Sequence, residues 1–347
     1  MYLSYRPQKK SWRSRLVRGA LSFGFNTGLL RMGRPLWARS LTVLNYHRID
    51  ELTPETFQPN ISASPAVFEQ QMAYLARWFK VVTLQDVHAW LRDEKPLPPH
   101  AALITFDDGY LDNYTNAYPI LRKYGFSAVI FLTAGHIETD APFFWDLTAY
   151  CFARTTSDHI RFPDGSEQSW RSEAEQQQVS KAWIESLKRL SEDEKKEWVS
   201  RLPEALGVTI PQGYFQKLMM SWDQVREMSA NGIEFGGHTL NHPILTRVPF
   251  ERARAEIRGS VSRISEELGK PVTSFAYPNG MKADFNEAVA QAAKEAGCQT
   301  AYTLLNGPAS LGEVRKSPYT IRRSFISHAH SMPEFCTLIS PLNRLRA

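Results

Sequence analysis

Along this chain, short runs of β-branched and aromatic residues alternate with longer stretches whose apolar positions recur every three or four residues. The short runs predict strands at Leu41–His47, Val81–Leu84, Ala102–Phe106, Ala128–Thr133, Ile233–Gly237, Val272–Tyr277, Gln299–Leu304 and Tyr319–Ile326. The longer stretches predict helices. One opens at Ser64-Pro65, an N-cap followed by proline in the first helical position, and sets Phe68, Met72, Leu75 and Phe79 on one face. Others cover Leu111–Tyr124, Trp222–Ala230, Phe250–Leu268 and Asp284–Ala296. Strands alternating with helices argue for an α/β chain with a mostly parallel sheet. Seven or eight such units predict a closed or distorted (β/α) barrel.

Residues 136–217 break this rhythm. Phe143-Phe144-Trp145-Asp146 is followed by a polar, Glu/Gln/Lys-rich helical pattern to about Leu206, which reads as a helical insertion beside one rim. Such an insertion either shapes a substrate cleft or is a solvated decoration. The expected organisation is a basic N-terminal helical arm at 1–40, a barrel formed by 41–135 and 218–340, and the insertion at 136–217.

Composition changes the picture at one end only. With 43% hydrophobic and 12% aromatic residues in 347, the chain can bury a sizeable core. Cys151, Cys298 and Cys336 are far apart and form no CxxC, so free thiols in a reducing compartment are expected. The formal charge of +5 is uneven: residues 1–40 hold nine Lys or Arg and no acid, leaving 32 basic against 36 acidic side chains elsewhere. The high pI therefore belongs to the arm and does not imply a nucleic-acid partner. The longest uncharged run there, Gly19 to Leu30, has 12 residues, too few for a membrane span and unlike a signal-peptide core. The arm reads either as an amphipathic segment resting on anionic lipid or as a helix packed on its own body with a solvated basic face. The expected location is the cytoplasm or the inner face of its membrane.

Three strand ends carry chemistry. Thr105-Phe106-Asp107-Asp108-Gly109-Tyr110 closes an apolar strand with two adjacent acids, which are costly there unless solvated, paired or bound to a cation. Their side chains diverge, so one could bind a metal while the other stays free as a base; an Asx-turn or helix cap is the plain alternative. Gly236-Gly237-His238-Thr239-Leu240-Asn241-His242 places two histidines four apart after another strand. Two histidines and one carboxylate leave coordination positions open for water and substrate, as a catalytic metal requires. Phe275-Ala276-Tyr277-Pro278-Asn279-Gly280 ends a third strand in a turn that could aim backbone N–H groups at an oxyanion, or could be an ordinary strand exit.

Together, the TFDDGY, HTLNH and FAYPNG segments resemble the motifs of the polysaccharide deacetylases (NodB-like carbohydrate esterases), over about residues 41–135 and 218–330. The resemblance implies a distorted (β/α) barrel that hydrolyses N-acetyl groups on amino sugars. It assigns Asp107 as general base, Asp108, His238 and His242 as metal ligands, and the backbone at Tyr277 as oxyanion donor. Two departures stand out. Ala276 occupies the slot where the family's third motif carries arginine, and the late Leu-x-His motif that supplies the general acid has no clear C-terminal copy. The strand Leu41–His47 resembles the Tyr-His strand found early in the exopolysaccharide (poly-N-acetylglucosamine type) branch, whose strand order is permuted and whose third motif has the FAYPxG form. That makes His47 the expected general acid, with His328 and His330 behind it. Arg322-Arg323, ending a late strand, would supply the missing cation beside Asp107, with Arg323 as the site residue.

The expected cofactor is one divalent ion, most simply Zn²⁺, with Co²⁺, Ni²⁺, Fe²⁺ or Mn²⁺ as others of suitable chemistry. The ion would polarise the acetyl carbonyl and acidify water, Asp107 would take the proton, and His47 as imidazolium would protonate the departing amine. An N-acetylated or lipid-linked glycan is the expected partner. An O-acetyl esterase on the same site, and a catalytically silent glycan-binding protein, remain the competing readings.

Overall fold

In chain order the strands are β1 Ser40–Tyr46, β2 Arg48–Ile49, β3 Ile61–Ala63, β4 Lys80–Val81, β5 Ala101–Asp108, β6 Val129–Leu132, β7 His159–Arg161, β8 Glu167–Ser169, β9 Glu234–Gly237, β10 Ser274–Ala276, β11 Thr300–Tyr302, β12 Ala309–Ser310 and β13 Ser324–Phe325. The structure is a computed structural model that describes residues 38–56 and 60–340. All but the last residues of the arm expected at 1–40 therefore lie outside the described residues.

Strands β1 and β5 are buried along nearly their whole length, as central parallel strands covered on both faces must be. They pair in parallel from Leu41 opposite Ala101 to Tyr46 opposite Phe106. β6, β9, β10 and β11 follow in order, each parallel to its neighbour, while β4 pairs with the start of β5 and β12 lies antiparallel to β1. The sheet curls, and residues 321–325 draw its ends together. Ile321 bridges Tyr302 of β11, and Ser324–Phe325 pairs in parallel with Leu44–Asn45 of β1. The result is a distorted (β/α) barrel whose parallel strands deliver their C-terminal ends to one mouth.

The covering helices follow the apolar periodicity. Pro65–Trp78 starts where Ser64 accepts the Val67 N–H, with Pro65 in its first turn, and buries Phe68, Met72 and Leu75. Trp222–Ala230 and Phe250–Leu268 occupy the spans expected of them. Several expected strands are shorter than their patterns, Val272–Tyr277 keeping only Ser274–Ala276 and Gln299–Leu304 only Thr300–Tyr302. The strand expected over 81–84 stops at Val81, because Thr83 and Asp86 form a capping box that starts a helix at Leu84. The run expected over 319–326 pairs as a strand only at Ser324–Phe325, since upstream of it the chain is crossing from β11 to β1.

Residues 144–206 supply the helices Phe144–Arg154, Glu173–Leu187 and Glu192–Ala205, and the hairpin β7–β8. They enclose a separate apolar cluster that includes Tyr150, Cys151, Trp183, Leu187 and Leu202. This cap sits beside the mouth, and its first helix brings Trp145 to it. The three cysteines are free and buried. Among the described residues no helix is long and apolar enough to cross a membrane.

Candidate active site

The eight residues of β5 are all buried, and the strand ends on Asp107 and Asp108, each 1% exposed. Asp108 adopts φ 77° and Gly109 φ 94°, a left-handed turn that aims the two carboxylates apart. A Cβ at Gly109 would sit 2.7 Å from Leu132 Cδ2, so only glycine fits this turn.

The Asp107 carboxylate is held by three donors. Arg323 donates from Nη1 to Oδ1 at 2.6 Å and from Nη2 to Oδ2 at 2.7 Å, and Asn45 Nδ2 donates to Oδ2 at 2.9 Å. Arg323 also donates from Nε to the Thr303 carbonyl and from Nη1 to Thr105 Oγ1, so the fully buried guanidinium is bonded through all three of its nitrogens. Burial pushes the Asp107 pKa up, but the charges of Arg323 and His238 and the Arg323 hydrogen bonds outweigh it and bring the group to about 2.

Asp108 is treated oppositely. Among the described residues, neither of its buried carboxylate oxygens has a hydrogen-bond partner. Oδ1 instead faces Nε2 of His238 at 3.7 Å and Nε2 of His242 at 3.6 Å. One donor atom from each of the three residues lies within 4.8 Å of the others. Burial first, then the charges of Asp107 and Asp146, push the Asp108 pKa well up. Burial pushes both histidines down, His242 far down. His238 Nδ1 lies 2.7 Å from the Ala276 carbonyl, so Nδ1 carries the proton and Nε2 presents its lone pair. A donorless carboxylate facing the lone pair of a neutral imidazole is repulsive by itself and is satisfied by a divalent cation. The donor set therefore fits the ion that the motifs imply.

The other expected residues distribute unevenly. His47 follows β1, with its Nδ1 buried and unpartnered and its ring edge-on to Phe325, close enough to Asp107, Arg323 and His238 for their charges to act on it. Burial lowers it to about 4. His328 uses Nδ1 on the Ile61 carbonyl, and His330 Nδ1 accepts the Ser327 N–H, so both ring Nδ1 atoms are engaged with backbone. The expected oxyanion donor at Tyr277 is corrected. Its N–H donates to the Tyr302 carbonyl at 3.1 Å, continuing the β10–β11 ladder, and its hydroxyl donates to the Tyr319 carbonyl. An N–H committed to a sheet ladder cannot also receive a reacting oxygen.

Four contributors were not expected from the sequence. Asn45 is the lone amide in the apolar run Leu41-Thr-Val-Leu-Asn-Tyr46, and that isolation was its signal. Trp145 and Phe143, from the cap, stand edge-on to His242 with ring centroids 4.9 and 5.7 Å away. Tyr110 ties that wall to β5 by accepting from Trp145 Nε1 and donating to Asp146 Oδ2, both at 2.8 Å. Burial pushes Asp146 up to about 6 against the pull of Arg48 and the Tyr110 hydroxyl.

The geometry agrees with what known proteins indicate. The family model described as polysaccharide deacetylase matches residues 94–301. The Bacillus subtilis protein YxkH, named as a polysaccharide deacetylase, is 23% identical over 300 residues, covering 84% of this chain and 77% of its own. Poly-β-1,6-N-acetyl-D-glucosamine N-deacetylases of Escherichia coli and Staphylococcus aureus are 30% and 32% identical over 28% of this chain, a match that spans only 14% and 37% of their own lengths. Among solved structures, the Streptococcus pyogenes deacetylase PplD in complex with acetate superposes with a TM-score of 0.59 at 19% identity, covering 87% of this chain and 99% of that one. IcaB from Ammonifex degensii does so with a TM-score of 0.50 at 20% identity, over 87% and 97%. At these identities the structural likeness speaks for the fold.

Proposed function

The chain belongs to the polysaccharide deacetylase family, and on that premise we propose that it is a metal-dependent hydrolase removing N-acetyl groups from amino sugars of a polysaccharide or glycan precursor. One observation carries the reading. A buried carboxylate without hydrogen-bond partners among the described residues, Asp108, faces two imidazole Nε2 atoms, one residue from a carboxylate held by three donors. Asp108, His238 and His242 would hold one divalent ion, most simply Zn²⁺. The chemistry such an ion supplies when bound is Lewis acidity toward a carbonyl oxygen and acidification of water.

Asp107 is the proton acceptor in this reading. Arg323 and Asn45 fix the carboxylate in one orientation and keep it ionised at neutral pH, leaving one lone pair, on Oδ1, to take a proton from water as that water attacks the amide carbon. His47 is the proton donor to the departing amine. Its depressed pKa of about 4 makes the neutral ring the resting form, so the proton it delivers to the amine is the one that Asp107 has taken from the attacking water. Trp145 and Phe143 exclude water from the His242 side of the site.

The Escherichia coli and Staphylococcus aureus relatives are named for poly-β-1,6-N-acetyl-D-glucosamine, which supports a glucosamine-containing polymer or its lipid-linked precursor as substrate. A lipid-linked substrate at the inner membrane face would also suit the basic stretch at residues 1–40.

Acetate release from Zn²⁺-loaded protein tests the proposal, on a panel of N-acetylated and O-acetylated sugars, polymers and lipid-linked precursors. Release from an N-acetyl substrate, lost in Asp107→Asn and His238→Ala, is the expected result. Release from O-acetyl substrates alone would make the protein a carbohydrate esterase. Bound metal with no turnover on any of them would favour the glycan-binding alternative.

A further inference from the structure

The loop that carries the second histidine is held in an unfavourable backbone shape. Thr239 has φ 69° and His242 φ 55°, both left-handed and neither glycine. Side chains larger than glycine keep such angles only where their surroundings over-determine them. Here most of the polar groups of the loop backbone are tied. On the barrel side, Ala134 and Gly135 donate their N–H groups to the Thr239 and Leu240 carbonyls at 3.1 and 2.9 Å. A Cβ on Gly135 would come within 2.5 Å of that Leu240 oxygen. Within the loop, Thr239 Oγ1 accepts the His242 N–H at 2.9 Å.

The outer side is tied by one residue. Glu256, buried at 6% exposure on the helix Phe250–Leu268, accepts the Leu240 and Asn241 N–H groups on Oε2 at 2.9 and 2.8 Å, and Asn241 Nδ2 on Oε1 at 2.8 Å. Among the described residues no ion pair with Glu256 is formed, so its carboxylate sits against these N–H donors rather than against a cation. We propose that Glu256 is a positioning residue for the cation site: it clamps the 238–242 loop in its left-handed shape and so sets where His242 presents Nε2.

The chemistry of the clamp makes it specific. Three donors converge on two oxygens, which an acceptor-only group satisfies completely. Glutamine at 256 keeps one oxygen for the two backbone N–H groups, and its amide can donate to Asn241 once that side chain turns its own oxygen inward. Aspartate keeps the charge but falls one methylene short of the loop. Alanine leaves the Leu240 and Asn241 N–H groups without this acceptor.

The inference rests on the cation-site reading above, and the test separates the two. Apo full-length wild type and the variants Glu256→Ala, Glu256→Asp and Glu256→Gln are titrated with Zn²⁺ against a competing chelator. The visible absorption of the Co²⁺-substituted forms is recorded alongside. Glu256→Ala is expected to weaken Zn²⁺ about 10–100-fold and to change the Co²⁺ spectrum, while far-UV circular dichroism stays that of the wild type. Glu256→Asp is expected to follow alanine, and Glu256→Gln to stay within a few fold of wild type. Should the alanine variant fail to fold, the aspartate variant carries the test. Wild-type affinity and spectrum in the alanine or the aspartate variant overturn the role of Glu256 and leave the cation site standing. A wild-type protein that binds no Zn²⁺ overturns the cation site, and this inference with it.

Discussion

Asp107 and Asp108 are neighbours in one strand and equally buried, yet the two halves of the mouth that receive them are built on opposite terms. The half formed by β1, β5 and the closing segment surrounds Asp107 with donors from Arg323 and Asn45. The half formed by β5, the 238–242 loop and the cap gives Asp108 no donor and turns two imidazole nitrogens toward it. The first arrangement fixes the place and the charge of a carboxylate. The second leaves a place whose electrostatics are satisfied by a positive ion. Burial alone therefore says little about what an acid does; the count of donors around it says more.

Removing Asp108 would break the contrast most completely. Asp108→Asn should abolish turnover and Zn²⁺ retention, while the metal-free protein stays at least as stable as wild type, because the amide removes a buried acid and can donate to an imidazole lone pair. Chemical denaturation of the apo proteins, with metal analysis, reads both parts. Asp107→Asn is expected to lower turnover about 10²–10⁴-fold with the metal still bound. It should also destabilise the fold by about 3–5 kcal/mol, since Arg323 would keep a buried charge without its partner. Loss of metal from this variant would erase the division between the two halves.

Asn45→Ala probes the donor half more gently. Losing one hydrogen bond to a charged group costs about 1.5–3 kcal/mol, so turnover should fall roughly 10–100-fold with unchanged Zn²⁺ affinity. The smallest effect lies away from the mouth. His88 is 4% exposed beneath the sheet, its Nε2 bonded to Thr300 Oγ1, and burial lowers it to about 4. The unfolded chain takes up this proton near the ordinary value of 6.5, before the folded one does. Its contribution is thus intact above pH 6.5 and is lost as pH falls toward 4, by about 2 kcal/mol at pH 5. His88→Gln should flatten that stretch of the stability profile without changing metal affinity, which denaturation at stepped pH values measures.

Local patterns in the sequence determined the elements and the donor set. A continuous apolar run such as Leu41–His47, or a period of 3.6 such as that of Phe250–Leu268, reflects which faces must be buried, and those spans changed little on folding. Asp107-Asp108 and the two histidines were legible because a metal site needs particular atoms at short sequence spacing. Tertiary structure decided what stands around them. Arg323 reaches Asp107 only because residues 321–325 cross from β11 to β1, and Glu256 reaches the histidine loop only because its helix packs back on the barrel. Trp145 stands against His242 because the cap docks beside the mouth. The Tyr277 N–H looked available as a reagent until the ladder register committed it to Tyr302. A backbone donor has one hydrogen to give, and the pairing of strands far apart in sequence, rather than the motif that contains it, settles where that hydrogen goes.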